Sequence, residues 1–258
     1  MNILRTLLSL LALTTTAVAQ NEQLNFLIEP GAFRPGHFST SCPTDQDRMT
    51  LSAKAREAKA AEETGLAGHS ERLEAEQAEL YGFVRLSKGS NRPKCLRELV
   101  DKSRELQDHL ALQAKNGVIT TRKSLAANVK TAYYTAALQE DSASANALLK
   151  AAEAYLQETE QHYKNGMADR VEVLLAEITV QEATLMNSKG ANAAATQKKY
   201  DELAELLSAR ARNGLAPAAP AEQAAEAARL FAREWARYRK LRNTHTQAQG
   251  SPPRKRRR

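Results

Sequence analysis

Residues 162 to 178, HYKNGMADRVEVLLAEI, limit the fold more than any other stretch. Gly166 and a short polar break separate two stretches of helical character, one predicted from about Thr121 through Lys164 and the other from about Ala168 to Arg212. Each would be about 60 Å long at about 1.5 Å per residue. Helices of that length joined by so short a turn must fold back as an antiparallel hairpin, and the hairpin needs a continuous buried stripe. One row of that stripe is Val173, Val180, Asn187, Ala194 and Asp201; the other is Ala176, Ala183, Gly190, Gln197, Ala204 and Ala211. This is the a/d spacing of a coiled coil, with small residues that let the backbones approach closely. Asn187, Gln197 and Asp201 interrupt it, which either fixes the register or marks a change of seam after residue 186.

The rest of the chain also reads as all-α. Aromatic residues make up only 5 % of it, and Ala, Glu, Lys, Leu, Arg and Gln dominate from residue 51 onward, the bias of long helices. No run of four or more residues alternates apolar and polar with the β-branched enrichment of a strand. Residues 1–20 pair Arg5 with an apolar run from Leu7 to Leu13 and Ala17-Val18-Ala19, the layout of a cleaved secretory signal. Residues 21–46 are rich in Pro and Gly and read as irregular. Residues 47–124 form a helical region with a soft interruption at Gly65 and Gly68, a loop at 86–93 and a turn at 116–118. The hairpin spans 125–214, a basic C-terminal helix spans 221–242, and 243–258 reads as a disordered basic tail.

Export makes Cys42 and Cys95 candidates for one disulfide, the alternative being two unpaired thiols. The net charge of +7 is unevenly placed. Residues 228–258 hold eleven basic side chains against Glu234 alone, so the basic character belongs to the C-terminal end. Trp235 and Tyr238 lie among these charges, and an anionic membrane surface is the partner this end suggests. A solvated tail is its plain alternative, and nucleic acid is not expected. His37, His69, His109, His162 and His245 show no metal-ligand spacing, and neither a phosphate loop nor a nucleophile elbow occurs. The expectation is a protein that is not an enzyme, with no catalytic residue, metal or cofactor.

Tyr163-x-x-Gly166-Met167-x-x-Arg170-x-Glu172-Val173-Leu174-x-Ala176-Glu177 resembles the helix-turn-helix tip of the TolC-like outer-membrane efflux family. Asn128-Val129-x-x-Ala132-Tyr133 and Tyr200-x-x-Leu203-x-x-Leu206-Leu207 resemble that family's flanks. The resemblance implies an outer-membrane or periplasmic transport component, a homo-oligomer whose tip, Asn165, Gly166, Met167, Ala168 and Asp169, docks a periplasmic adaptor. It implies aperture-like roles for Tyr163, Arg170 and Glu172. The family's second repeat and barrel strands are not seen in the sequence. A helical scaffold or pilus-associated component of a conjugation or type IV secretion system is therefore the second expectation. The residues of Asp169 and Glu172 also fit a helix N-cap and its capping-box partner, a purely structural role.

Overall fold

A computed structural model describes residues 45–86, 91–188 and 192–250. Among these residues there are eight helices and no strand, so the fold is all-α. They are α1 (Asp45–Glu63), α2 (His69–Leu86), α3 (Asn91–Lys115), α4 (Thr121–Gln139), α5 (Ser142–Lys164), α6 (Arg170–Ser188), α7 (Ala193–Arg212) and α8 (Ala218–Gly250). The chain divides into two compact units, with α1 to α6 in one and α7 and α8 in the other.

Neither predicted 40-residue helix is continuous. The first is interrupted at Glu140, which adopts a left-handed φ of 53°, and Asp141, whose carboxylate caps α5 by accepting the Ser144 N–H at 2.7 Å. The second is divided between α6, which ends at Ser188, and α7, which begins at Ala193. The physical reason lies in Asp141-Ser142-Ala143-Ser144. Asp and Ser satisfy free backbone N–H groups at a helix start, so a break needs neither Gly nor Pro. The Ser144 N–H, with the Ser144 hydroxyl, holds the Asp141 carboxyl below its ordinary range.

This break reverses the chain. The Arg122 guanidinium, at the start of α4, meets Glu172 at the start of α6 at 2.8 Å. That pairing requires α4 to run antiparallel to α5, because an unbroken helix would hold Arg122 far from the turn at Gly166. Replacing Glu140 by Gly tests the reading by its sign. At a left-handed helix end Gly relieves side-chain strain and should stabilise the protein by about 1 kcal/mol. Inside a continuous helix the same change should cost about 1 kcal/mol. The midpoint of urea unfolding distinguishes them.

Within the six-helix unit each helix packs antiparallel on the next. Gln77 donates to Ser103 across α2 and α3 at 2.8 Å, and Gln107 donates to Asn128 across α3 and α4 at 3.2 Å. Asn187 donates to Asn146 across α5 and α6 at 2.7 Å, which fixes the register of that hairpin. Even-numbered helices also meet each other. The Tyr81 ring on α2 lies 5.9 Å from the Tyr134 ring on α4, and Lys123 of α4 pairs with Glu74 of α2 at 3.0 Å. With Arg122 and Glu172 these contacts put α2, α4 and α6 in one parallel row.

Small and hydroxyl residues make close packing feasible. Ala127, Ala136, Ala145, Ala151, Ala152, Ala176 and Ala183 are buried. Buried Ser103, Thr131, Thr159 and Thr179 donate to the carbonyl four residues earlier, so their polar atoms are satisfied inside their own helices. The expected stripe is buried at Val173, Ala176 and Ala183, then ends at exposed Asn187. In α7 the buried face is Ala193, Thr196, Tyr200, Leu203 and Leu207 rather than Ala194 and Asp201, because a new helix restarts the phase. Helix α8 begins at Ala218 and runs through Gly250, eight residues past the expected boundary; no Gly or Pro intervenes after Pro220. Cys95 is half-buried near the start of α3. Cys42, the signal-like segment and the last eight basic-tail residues lie outside the described residues.

A charged chain stitches α1, α2 and α3. Glu62 meets His69 at 2.6 Å and also Arg72; Arg72 meets Glu76 at 2.7 Å; Glu76 meets Lys102 at 3.0 Å; Lys102 meets Glu105 at 2.6 Å. Burial works against the charged form of Glu76, yet hydrogen bonds from Lys102 and Arg72 outweigh it and hold its carboxyl below the ordinary range. The hydrogen bond with His69, against the opposing effect of burial, does the same for Glu62. A carboxylate depressed in the folded state stabilises above its unfolded pKa, and the contribution disappears as pH falls through the folded value. Stability in urea should therefore be level from neutrality to about pH 5 and fall below about pH 4.5, with a shallower fall in Glu76→Gln. An identical acid slope in that variant would remove Glu76 from the account.

Candidate interaction site at the glycine turns

The predicted tip is a well-defined hairpin end. Helix α5 stops at Lys164, and Gly166 takes a left-handed φ of 72°. The Gly166 N–H donates to the Tyr163 carbonyl at 3.0 Å, and the Met167 N–H donates to the His162 carbonyl at 2.8 Å. This paired arrangement satisfies the last carbonyls of a helix and favours Gly, whose missing Cβ removes the penalty of positive φ. A Cβ at Gly166 would meet no atom within 4 Å, so conformation rather than space selects glycine.

On the far side Asp169 and Glu172 form the capping box. The Glu172 N–H donates to Asp169 Oδ1 at 3.0 Å and the Asp169 N–H donates to Glu172 Oε2 at 2.9 Å. The other Glu172 oxygen takes Arg122. Arg170 lies along α6 and pairs with Glu177 at 3.1 Å. Of the three aperture-like residues, Tyr163 is exposed, Glu172 ties α6 to α4 through Arg122, and Arg170 pairs with Glu177 within α6. Asn165, Gly166 and Met167 are exposed together, and Ala168 and Asp169 are half-buried behind them.

The structure brings out a feature that the sequence reading missed. The same turn occurs at Gly65, Gly117, Gly166 and Gly214, each with φ between 67° and 72° and each with the same two hydrogen bonds at 2.8–3.0 Å. The steps between these glycines are 52, 49 and 48 residues, the scale of a structural repeat. Each repeat is one helical hairpin. The turn sequences are Thr64-Gly65-Leu66-Ala67, Asn116-Gly117-Val118-Ile119, Asn165-Gly166-Met167-Ala168 and Asn213-Gly214-Leu215-Ala216. In each, an aliphatic residue follows the glycine and a half-buried Ala or Ile follows that.

The aliphatic residue points outward. Leu66 is 85 % exposed, Val118 69 %, Met167 59 % and Leu215 74 %. A residue at this position often packs back on its own helix; these do not. In the six-helix unit the first three turns share one end, because odd helices finish there and even helices begin there. Leu112 and Tyr163 are exposed beside them. Among the described residues, Met49 is the exposed large apolar side chain that lies away from any such turn.

The His69 and His109 rings meet edge to face at 4.8 Å, a pairing across α2 and α3 that spacing alone did not indicate. Among the described residues, no group of His, Cys, Asp and Glu is placed to hold a metal ion, and no helix is long and apolar enough to cross a membrane. What the geometry offers is a row of outward aliphatic side chains on rigid turns, suited to protein contact. Comparison with protein families, curated proteins and solved structures finds no match to this chain.

Proposed function

We propose that this chain is an exported, non-enzymatic component of a cell-envelope efflux or secretion assembly, and that the α5–α6 tip docks a periplasmic adaptor. The observation that supports the reading most is the exposed turn Asn165-Gly166-Met167, held by a capped hairpin at the register that resembles the TolC-like tip. Rigid backbone with an exposed side chain is what a docking tip requires, since little ordering is left to do on binding. The finer family likeness, a coiled-coil hairpin, rests on residues 142–188, about half the length that the sequence suggested.

A second reading, an envelope scaffold of a conjugation or type IV secretion system, draws support from the architecture. Helices of 18 to 25 residues in α1 to α6, each stacked on the next, make a repeat array rather than a long tunnel wall. Cell fractionation separates the two, since the efflux reading expects the chain with the outer membrane and the scaffold reading expects it in the periplasm. A photo-crosslinking residue at position 165 should capture an envelope partner in cells, and Met167→Ser should abolish that capture while leaving thermal unfolding nearly unchanged; Gly166→Ala, strained at its positive φ, should abolish it too at a cost of about 1 kcal/mol in stability. Capture that persists per folded molecule in those variants would remove the tip from the proposal.

A further inference from the structure

We infer that the docking surface is not the α5–α6 tip alone but the row of three glycine turns in the six-helix unit, and that it takes an acidic amphipathic helix laid along the row. The inference rests on the tip reading and extends it. Three observations carry it. Leu66, Val118 and Met167 occupy the same position of the same turn and are all exposed. The turns lie in a row, because α2, α4 and α6 meet through the side chains of Tyr81 and Tyr134, Lys123 and Glu74, and Arg122 and Glu172. The charge beside the second and third turns is basic, with exposed Lys115 and Lys164 in the sequences Lys115-Asn116-Gly117-Val118 and Lys164-Asn165-Gly166-Met167.

Spacing selects the occupant. Packed helices have axes about 8–10 Å apart; α2, α4 and α6 meet through long side chains, so one outward side chain recurs at about 10 Å or slightly more. Seven residues of α-helix rise about 10.5 Å. A helix with one apolar residue per heptad would therefore set one side chain against each turn. Carboxylates flanking its apolar row would face Lys115 and Lys164, while Glu63 at the first turn leaves that end of the row without basic charge. Solenoids bind along repeated surfaces in this way. Arg212-Asn213-Gly214-Leu215 repeats the chemistry in the other unit.

The test is fluorescence anisotropy of the full chain with a labelled synthetic helix of 28 residues carrying leucine every seventh residue and glutamate beside each leucine. Binding is expected in the micromolar range. Substituting lysine for those glutamates, or moving the leucines to every fifth residue, should weaken it at least about tenfold. Leu66→Ser and Val118→Ser should each weaken it by about tenfold, although neither residue belongs to the α5–α6 tip. Circular dichroism melts of these variants should match the parent, given how exposed both residues are. Failure of the glutamate helix to bind overturns the inference, as does equal binding of the glutamate and lysine helices. Binding to vesicles of phosphatidylcholine and phosphatidylglycerol in place of the helix overturns it in favour of a lipid surface. If Met167→Ser alone weakens binding, the row is wrong and the single tip stands. If the row variants weaken peptide binding while position 165 captures nothing in cells, the tip proposal fails and the row stands.

Discussion

Leu174→Ala should destabilise the protein by about 3 kcal/mol, within the range of about 2–5 kcal/mol for a fully buried leucine. Leu174 is completely buried on α6, and Val171, Val173, Leu175, Ala176 and Ile178 around it are buried as well. Helix α6 is thus covered around most of its circumference over its first half, as an apolar helix must be. Truncation leaves a cavity that packed neighbours on several sides cannot collapse into, which raises the cost above simple transfer. A neighbour-sized control, Met186→Leu, sits on the half-buried part of the same helix and should cost under about 1.5 kcal/mol. Equilibrium urea unfolding followed by circular dichroism reads both. A Leu174→Ala loss below about 1 kcal/mol would mean that this face of α6 is not a core.

Tyr200→Ala should be at least as costly, about 3–5 kcal/mol, and Phe231→Ala similar. These two rings form the aromatic contact between α7 and α8, 5.2 Å apart, and both are buried. Ala224, Ala227 and Ala228 on α8 are buried too, and loss of either ring leaves a cavity that the packed helices close only in part. The effect also decides between two phases of α7. The heptad stripe carried on from α6 would bury Ala194 and Asp201, both of which are exposed, whereas the observed face buries Tyr200 and Leu203. Asp201→Ala should accordingly change stability by less than about 0.5 kcal/mol. A large loss there with a small one at Tyr200 would restore the long-helix phase.

The helical class was legible in the sequence because nothing competed with it: alanine-rich composition, apolar residues at helical spacing and few aromatics all point one way. The turn at Gly166 was legible too, since glycine at a helix end is chosen by conformation, and Asp169 with Glu172 carry the capping pattern in their identities. The break at Glu140 and Asp141 was hidden for a physical reason. A left-handed glutamate leaves no mark in composition, and Asp-Ser-Ala-Ser reads equally well as the polar face of a long helix. Once that break was missed, the hairpin came out about twice as long as it is, and the stripe was carried past Ser188 where the phase restarts. The glycine repeat was visible in principle, as four Gly-aliphatic-Ala/Ile turns at steps near 50 residues, but the turns were read singly, Gly65 as a soft interruption, 116–118 as a turn and Gly166 as a tip. The outward direction of Leu66, Val118 and Met167 was not visible, because a residue after a C-terminal glycine more often packs back than points away.

The central claim is that successive glycine turns gather at one end of a short-helix array. Spin labels on Lys115→Cys and Lys164→Cys, in a chain whose Cys42 and Cys95 are replaced by serine, measure it by pulsed electron resonance. Both sites are exposed and each closes a helix just before its turn. With α4 folded back on α5 the two turns are neighbours, and label-to-label distances should centre at about 15–25 Å, allowing for helix spacing of about 10 Å and the length of the labels. With Thr121 to Lys164 as one unbroken helix the same labels would lie about 60 Å apart, and a distribution centred there would contradict the account.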